Sequence, residues 1–490
     1  MSHDKVAKMQ CLKKLFHLAQ SNCYYRNRVN LIQRRKEFAV QNCIHRYKHD
    51  SSSEFEGLEE DEEEKNIYME LSNEYLGTIT HGHRVFVLQP YIKWGSRKKR
   101  NTTPELQLAE AVTLINTLPN WTVVGKKTVP LLTLQKEKLV GSGALDTLKK
   151  DIRSCSSVTA IFVSTNLLRF IQIAELQKAF HLPVYDRYSV VIHIFREHAK
   201  TSEAKLQVAL AEIPYIRKKM VDLSGQDGVR INLDERCKKL LETRERKLKN
   251  ALKRLKEHRK MIKTRRKSYG FPTIAVIGYT NAGKTSLIKA LTEDATLEPE
   301  NKLFATLDTT VHQGYLLNKL KVLYIDTIGF IQDVPETLIE PFVVTLEDAT
   351  SADIIIHVYD ASHPDVTAQI QHVQKTIEPL LEENKVLINV ANKCDVAEKE
   401  NIPEDAFAVS SLRLTGIDLL RLKIEKEIIT AANLIKKRIR VGAGSPHESW
   451  LYKEATVTNA EPDPANSQCV IMDVIMTTST FYKFKRFLEK

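Results

Sequence analysis

The chain has 490 residues, a formal net charge of +12 and a pI of about 9.1. With 42% hydrophobic residues it can bury real cores, which excludes a chain disordered throughout. At roughly 150 residues per domain its length suggests about three domains. The cysteines, Cys11, Cys23, Cys43, Cys155, Cys237, Cys394 and Cys469, form no C-x-x-C pair, which argues against a zinc site and a secreted disulfide framework and for a reducing compartment.

No apolar run approaches the roughly 18 residues a bilayer requires, so no membrane insertion is expected. The surplus positive charge favours a polyanionic partner, with nucleic acid ahead of a membrane surface.

Residues 1–49 carry Lys5, Lys8, Lys13, Lys14, Arg26, Arg28, Arg34, Arg35, Lys36, Arg46 and Lys48 against only Asp4 and Glu37. Basic and acid-poor, without a long apolar core, this is the composition of a mitochondrial presequence, and the matrix is the expected location, with the cytoplasm as the alternative. The acidic run from Glu54 to Glu64 reads as a disordered linker, residues 50–67.

From 68 to 204, strand-like runs (Arg84 to Leu88, Ala160 to Val163) alternate with helix-like ones (Leu106 to Leu118, Ile171 to Phe180), while Ser189 to Ile194 suits either a strand or a helix start. Such alternation predicts an α/β layer domain. Residues 235–268 lack Gly and Pro and space Leu240, Leu241, Leu248, Leu252 and Leu255 at near-heptad intervals, which predicts one long helix. It pairs with Leu206 to Met220 as a helical hairpin, 205–270. The long helix holds 16 Lys or Arg and four acids, an excess of 12 that suits a phosphate backbone.

Residues 271–435 repeat strand, loop and helix. The end, 436–490, has two expected strands (Glu454 to Val457 and Cys469 to Met476), split by the polar loop Glu461-Pro462-Asp463-Pro464, and a helix from Ser479. This predicts a small α+β domain.

The chemistry lies in four ordered segments. Gly278-Tyr279-Thr280-Asn281-Ala282-Gly283-Lys284-Thr285 is G-x-x-x-x-G-K-T, following the strand-like Thr273 to Ile277 and opening a helix from Ser286. In that context the backbone N–H groups cradle phosphates, Lys284 reaches the β- and γ-phosphates, and the Thr285 hydroxyl binds Mg²⁺. Asp326-Thr327-Ile328-Gly329 follows another strand: Asp326 can hold Mg²⁺ through water, and the Gly329 N–H can approach the γ-phosphate.

Asn392-Lys393-Cys394-Asp395 sets base specificity, because a carboxylate accepts two hydrogen bonds from guanine N1–H and N2 that adenine does not offer. Val409-Ser410-Ser411-Leu412 supplies a backbone contact to the guanine oxygen. Between the first two segments, Leu303-Phe304-Ala305-Thr306-Leu307-Asp308 offers a threonine to the magnesium shell, with Thr306, Thr309 and Thr310 all candidates on chemistry alone. This loop and the stretch from Gly329 to Val334 are the expected switches. The sequence thus predicts a P-loop GTPase that uses GTP and Mg²⁺.

The ordered set G-Y-T-N-A-G-K-T, L-F-A-T-L-D, D-T-I-G-F and N-K-x-D resembles the HflX family of translational GTPases. Further upstream the resemblance includes Gly141-Ser142-Gly143, Val184-Tyr185-Asp186-Arg187, Ile194-Phe195, Lys205 to Ala211 and Pro214-Tyr215. It covers about residues 80–435, and the basic start and the segment Ser449 to Val457 resemble the family's mitochondrial GTP-binding branch.

The resemblance implies a Ras-like G domain behind an HflX-type N-terminal domain. It implies a monomer that binds the large ribosomal subunit during splitting, recycling, rescue or assembly. It assigns Thr306 as the magnesium-binding switch threonine, and places Phe330 where Ras-like enzymes carry a catalytic glutamine, so hydrolysis is expected to be slow without the partner. It also matches Asn281 to an asparagine that other GTPases use to hold K⁺. Val221 to Arg230 departs from the family's glycine- and glutamate-rich hairpin loop, so contacts there do not carry over. The expected catalytic set is Lys284, Thr306 and Gly329.

Overall fold

The computed structural model describes residues 62–77, 82–95, 98, 101–155, 157–224, 231–268, 271–300, 302–332, 338, 340–342, 349–381, 385–397 and 402–489. The expected presequence, the acidic run before Glu62, hairpin-loop residues 225–230 and the expected switch residues 333 and 334 lie outside them. The described residues form two compact units: 62–314 with 322–427, and 315–321 with 428–489.

The first unit opens with α1 (Glu62–Leu76), which begins inside the stretch expected as linker because Tyr68, Leu71 and Leu76 supply a buried face behind the acids. A parallel sheet follows, β1 (Arg84–Ile92), β2 (Thr122–Leu131), β3 (Ala160–Val163) and β4 (Val184–Asp186), in the order β2-β1-β3-β4. Its central strands read as continuous apolar runs because both faces are covered. On one face Phe86, Leu88, Ile161 and Val163 pack against Leu148 and Ile152 of α3 (Ser142–Ser154) and Ile173 and Leu176 of α4 (Phe170–Phe180). On the other, Val85, Val87 and Phe162 join Ala111, Leu114 and Ile115 of α2 (Pro104–Thr117).

Local chemistry sets several element boundaries. Thr103 caps α2 by accepting from the Leu106 N–H at 3.3 Å, with Pro104 in the first turn. Asp186 accepts from the Ser189 N–H at 2.9 Å, and the Ser189 hydroxyl is 3.1 Å from the Asp186 N–H in return. That reciprocal cap starts α5 (Arg187–His198), so the ambiguous Ser189 to Ile194 is helix.

The hairpin is α6 (Ser202–Ser224) and α7 (Ile231–Ser268). Leu241, Leu248 and Leu252 of α7 are buried, as their spacing requires, and an Arg217–Glu245 ion pair at 2.5 Å ties the arms.

A six-stranded sheet completes the unit: β5 (Thr273–Gly278), β6 (Thr310–Tyr315), β7 (Lys321–Asp326), β8 (Ile354–Asp360), β9 (Val386–Asn392) and β10 (Phe407–Ala408), in the order β10-β9-β8-β5-β7-β6. The pairings from β10 through β7 are parallel. The flanking helices are α8 (Lys284–Thr292), α9 (Val366–Ile377) and α10 (Ile417–Ala431). The fold is mixed α/β with a P-loop G domain.

The second unit carries an antiparallel sheet, β11 (Leu434–Gly442), β12 (Thr456–Asp463) and β13 (Asn466–Thr477), with β13 central, plus α11 (Pro446–Glu454) and α12 (Thr478–Leu488). Two expectations are corrected here. Glu454 ends a helix rather than starting a strand, because Ser445 caps that helix by accepting from the Glu448 N–H at 3.2 Å, with Pro446 in its first turn. The strand then runs through the expected polar loop to Asp463, whose carboxylate pairs with Arg440 at 2.6 Å.

Candidate nucleotide site

Strand β5 ends in a turn that only glycine tolerates. A Cβ on Gly278 would lie 2.0 Å from the Val358 carbonyl oxygen. At Gly283, φ is +88° and a Cβ would meet Asn392 Nδ2 at 2.3 Å. The chain therefore wraps tightly and enters α8 at Lys284 with its first amides facing a cleft of about 330 Å³.

Thr280, Asn281, Gly283, Lys284, Thr285 and Ser286 line the cleft from the P-loop side, and Phe304, Ala305, Thr306 and Gly329 from the switch side. Asn392, Lys393, Asp395, Ser410, Ser411 and Leu412 close the base end. The four sequence segments, up to 134 positions apart between Gly278 and Leu412, thus meet in one place.

The base-end loop is braced from behind. Asn392 donates to the Ala282 carbonyl at 2.9 Å and accepts from the Ser411 N–H at 3.1 Å and hydroxyl at 2.9 Å. Lys393 donates to the Asn281 carbonyl at 3.0 Å and pairs with Asp360 at 2.6 Å. A hydrogen bond from the Ser410 hydroxyl holds the Asp395 carboxyl below its usual range, with Arg413 at 3.3 Å adding to it. Asp395 is thus ionised, as an acceptor for two guanine N–H donors must be.

At the phosphate end, Lys284 Nζ bonds the Gly278 and Tyr279 carbonyls at 3.3 and 3.0 Å, and burial lowers its pKa from 10.5 to about 8. The Thr285 hydroxyl donates to Asp326 Oδ2 at 2.6 Å, the Thr306 hydroxyl to the same oxygen at 3.2 Å, and the two hydroxyls lie 3.1 Å apart. Asp326 is buried, its carboxyl pushed up by desolvation, and its Oδ1 has no protein partner. Two hydroxyls and an orphaned carboxylate oxygen are a hard-oxygen donor set that fits Mg²⁺.

Thr309 is buried, and the Thr310 hydroxyl is 2.8 Å from His312 Nε2; neither lines the cleft, so Thr306 is the threonine the geometry brings to the magnesium donors.

Several expected contact residues do not line the cleft. Gly278 and Ala282 contribute only backbone beneath it; the Ala282 carbonyl is the acceptor for Asn392. Leu303, Leu307 and Ile328 are buried in the hydrophobic core. Thr327 is buried with its hydroxyl on the Val276 carbonyl at 2.8 Å, and Cys394 is half-buried, with its N–H on the Val409 carbonyl at 3.1 Å. Tyr279 turns away altogether: its hydroxyl donates to Glu110 at 2.7 Å. Conversely, Pro299, Glu300, Lys302 and Val396 line the cleft and lie outside every motif, so only proximity to the switch segment and N-K-x-D could have flagged them.

The unit holds a second cavity, of about 530 Å³, where β1 and β3 end; Gln89, Gln107, Ser164 and Thr165 are among its walls.

Known proteins match this arrangement in order. A family model described as "50S ribosome-binding GTPase" matches residues 273–393, and one described as "GTP-binding GTPase N-terminal" matches residues 105–196. GTP-binding protein 6 of Xenopus laevis is 38% identical over 451 residues, 88% of this chain and 85% of that protein. GTP-binding protein 6 of Homo sapiens is 37% identical over 423 residues, 82% and 81% of the two chains. GTPase HflX of Caldanaerobacter subterraneus is 33% identical over 328 residues, 64% and 75%.

Proposed function

We propose a function from one premise: the chain belongs to the HflX family of GTPases. It binds guanine nucleotide and hydrolyses GTP. Its role, in this reading, is to dock on the large ribosomal subunit and couple the GTP cycle to ribosome dissociation, recycling or subunit assembly, in mitochondria.

The observation that carries the ribosomal part is the 38-residue helix α7, Gly-free and Pro-free, whose basic excess suits ribosomal RNA phosphates. The description of the family model that matches residues 273–393 names ribosome binding and agrees with it. The mitochondrial part rests on the composition of residues 1–49. Among the described residues no helix is long and apolar enough to cross a membrane.

In this mechanism the P-loop amides and Lys284 bind the phosphates, and Asp395 selects guanine. Thr285, Thr306 and Asp326 are the residues that would hold Mg²⁺, whose charge would offset that of the phosphate oxygens. Thr306 would complete that donor set when γ-phosphate is present, which would make its loop a reporter of the γ-phosphate. Phe330 cannot orient a water, so hydrolysis waits for a group from the ribosome. Asn281 lines the phosphate end and is the residue that would place a K⁺ ion there; equal turnover in sodium and in potassium or thallium refutes that assignment.

The test is GTP turnover by the purified chain alone and with isolated mitochondrial large subunits, beside an Asp395→Asn control and an import assay. Many-fold stimulation, lost in the control, supports the reading. Tight subunit binding without stimulation points to an assembly factor in which hydrolysis only resets docking. GTP binding with neither docking nor stimulation removes the ribosomal assignment and leaves the nucleotide site.

A further inference from the structure

The first unit joins the G-domain sheet to the N-terminal sheet through a polar chain that ends on the switch. Tyr279 occupies the second position of the P-loop, yet its ring is buried, 3% exposed, and points away from the nucleotide cleft. Its hydroxyl accepts from the Gln332 N–H at 2.8 Å and donates to Glu110 Oε2 at 2.7 Å. Gln332 lies three residues after Gly329 of D-x-x-G, and Glu110 lies on α2 of the N-terminal sheet. The other oxygen of Glu110 is held by the buried guanidinium of Arg187, at the start of α5. Arg187 Nη1 is 3.4 Å from the Ser164 hydroxyl at the end of β3.

The same stretch of switch is paired to the P-loop by main chain: the Thr280 N–H donates to the Phe330 carbonyl at 2.7 Å, and the Phe330 N–H to the Gly278 carbonyl at 3.1 Å. Gly329 is thus clamped against the phosphate loop; a Cβ there would fall 2.7 Å from Thr280 Cγ2 and 3.0 Å from Lys284 Nζ.

Neither half of this chain is explained by nucleotide binding or by packing alone. A phenylalanine would fill the Tyr279 site, and its hydroxyl is placed to join one donor from the switch to one acceptor from the other sheet. A half-buried carboxylate with a buried arginine on one oxygen and a buried tyrosine on the other is fixed in two directions, which makes it a rigid anchor.

We propose that Tyr279 and Glu110 are positioning residues for GTP hydrolysis: the N-terminal domain fixes, through Arg187, Glu110 and Tyr279, the backbone that sets the Gly329 N–H against the γ-phosphate. The hydrolysis site is therefore shared between the two sheets in its geometry, although every phosphate contact comes from one. Because the chain bears on the switch backbone and not on the base or the P-loop amides, its loss acts on the hydrolytic step and leaves nucleotide affinity in place.

The experiment uses the full chain in single-turnover GTP hydrolysis, with GDP affinity measured in parallel by a fluorescent GDP analogue. Tyr279→Phe removes both hydrogen bonds of the hydroxyl, of which the one from the Gln332 N–H bears on the switch, and is expected to slow hydrolysis about tenfold, with GDP affinity within about twofold. Glu110→Gln, which keeps shape but releases Arg187, is expected to do the same, and the double variant to be no slower than the worse single one. In Tyr279→Phe the Gln332 amide is expected to lose hydrogen-exchange protection while the P-loop amides keep theirs.

Unchanged hydrolysis in Tyr279→Phe overturns the proposal. So do losses that multiply in the double variant, and so does GDP affinity falling by the same factor as the rate. Where Glu110→Gln does not fold, Tyr279→Phe, which removes a single oxygen, decides alone.

Discussion

Asn392 sits where the phosphate loop and the base loop touch, and its replacement tests whether the cleft is one structure or two halves. It is 2% exposed and makes three hydrogen bonds: its Nδ2 to the Ala282 carbonyl, its Oδ1 from the Ser411 N–H and hydroxyl. Asn392→Ala removes all three, leaving two donors and one acceptor that water in the cleft satisfies only in part. At about 1 kcal/mol net per bond, rising where a group stays dry, the loss is about 2–4 kcal/mol. Most of it falls on the bound state, which needs both loops in register, so GDP affinity is expected to fall about 30- to 1,000-fold.

The assay is equilibrium binding of a fluorescent GDP analogue at fixed pH and Mg²⁺, with the thermal midpoint measured on the same samples. Asn392→Asp is the companion variant: it keeps the acceptor for Ser411 but sets a carboxylate against the Ala282 carbonyl, so it should bind no better than the alanine variant. GDP affinity within about threefold of the parent in Asn392→Ala would refute the bracing argument.

Four further outcomes follow from the same geometry. Asp395→Asn loses the two-acceptor contact to guanine and is expected to weaken GDP by about 100-fold or more while gaining xanthosine diphosphate binding; unchanged base preference counts against the assignment. Thr306→Ala removes one oxygen donor beside Asp326, so hydrolysis is expected to drop about tenfold or more with GDP affinity nearly unchanged, in single-turnover assays at saturating Mg²⁺. Burial holds the Lys284 ammonium at about 8, and bound phosphate requires it charged, so GDP affinity should fall about threefold between pH 7 and 8.3 with proton uptake, which buffer-dependent calorimetric heats would reveal. Burial also lowers His193 and His357 from 6.5 to about 4, so the unfolded chain takes up protons first and stability falls as pH drops from about 6.5 toward 4; urea midpoints equal at pH 7 and pH 5 would contradict this.

What the sequence made legible follows from where the constraint is local. The P-loop can be read because its glycines answer to backbone geometry within eight residues, and Gly278 and Gly283 are indeed where a side chain has no room. Asp326 and Asp395 can be read because a charge at the end of an apolar strand has few structural uses. The α7 helix can be read from leucine spacing, and Leu241, Leu248 and Leu252 are among its buried residues.

The missed elements lack such signals. Strand β2, with Lys126 and Lys127 in its middle, is half-exposed at a sheet edge, so its apolar run is broken. Strand β11 carries Lys436, Lys437, Arg438 and Arg440 for the same reason, its packing residues reduced to Leu434, Val441 and the partly buried Ile435 and Ile439. The direction of the Tyr279 side chain was invisible because its partner, Glu110, lies 169 positions away.

The segment Leu303 to Asp308 shows why a motif can be assigned to a site as a whole and still be wrong residue by residue. Leu303 and Leu307 belong to the hydrophobic core, and Phe304, at φ +55°, both lines the cleft and stacks edge-on against Phe195 of α5 at 4.9 Å. Asp308 accepts from the Thr201 N–H at 3.3 Å and from its hydroxyl at 2.5 Å, just ahead of α6. Besides Phe304, only Ala305 and Thr306 of this segment line the cleft. A left-handed residue with a large side chain costs about 1–2 kcal/mol and persists only where its surroundings over-determine it. Here the surroundings are the aromatic contact on one side of Thr306 and the Asp308 bonds on the other. The anchors belong to the N-terminal part of the unit, so the hydroxyl beside Asp326 is delivered by a loop whose two ends are held from outside the nucleotide sheet. A G domain cut free of that part would keep Lys284, Thr285 and Asp326, yet it would lose the contacts that place Thr306 beside them.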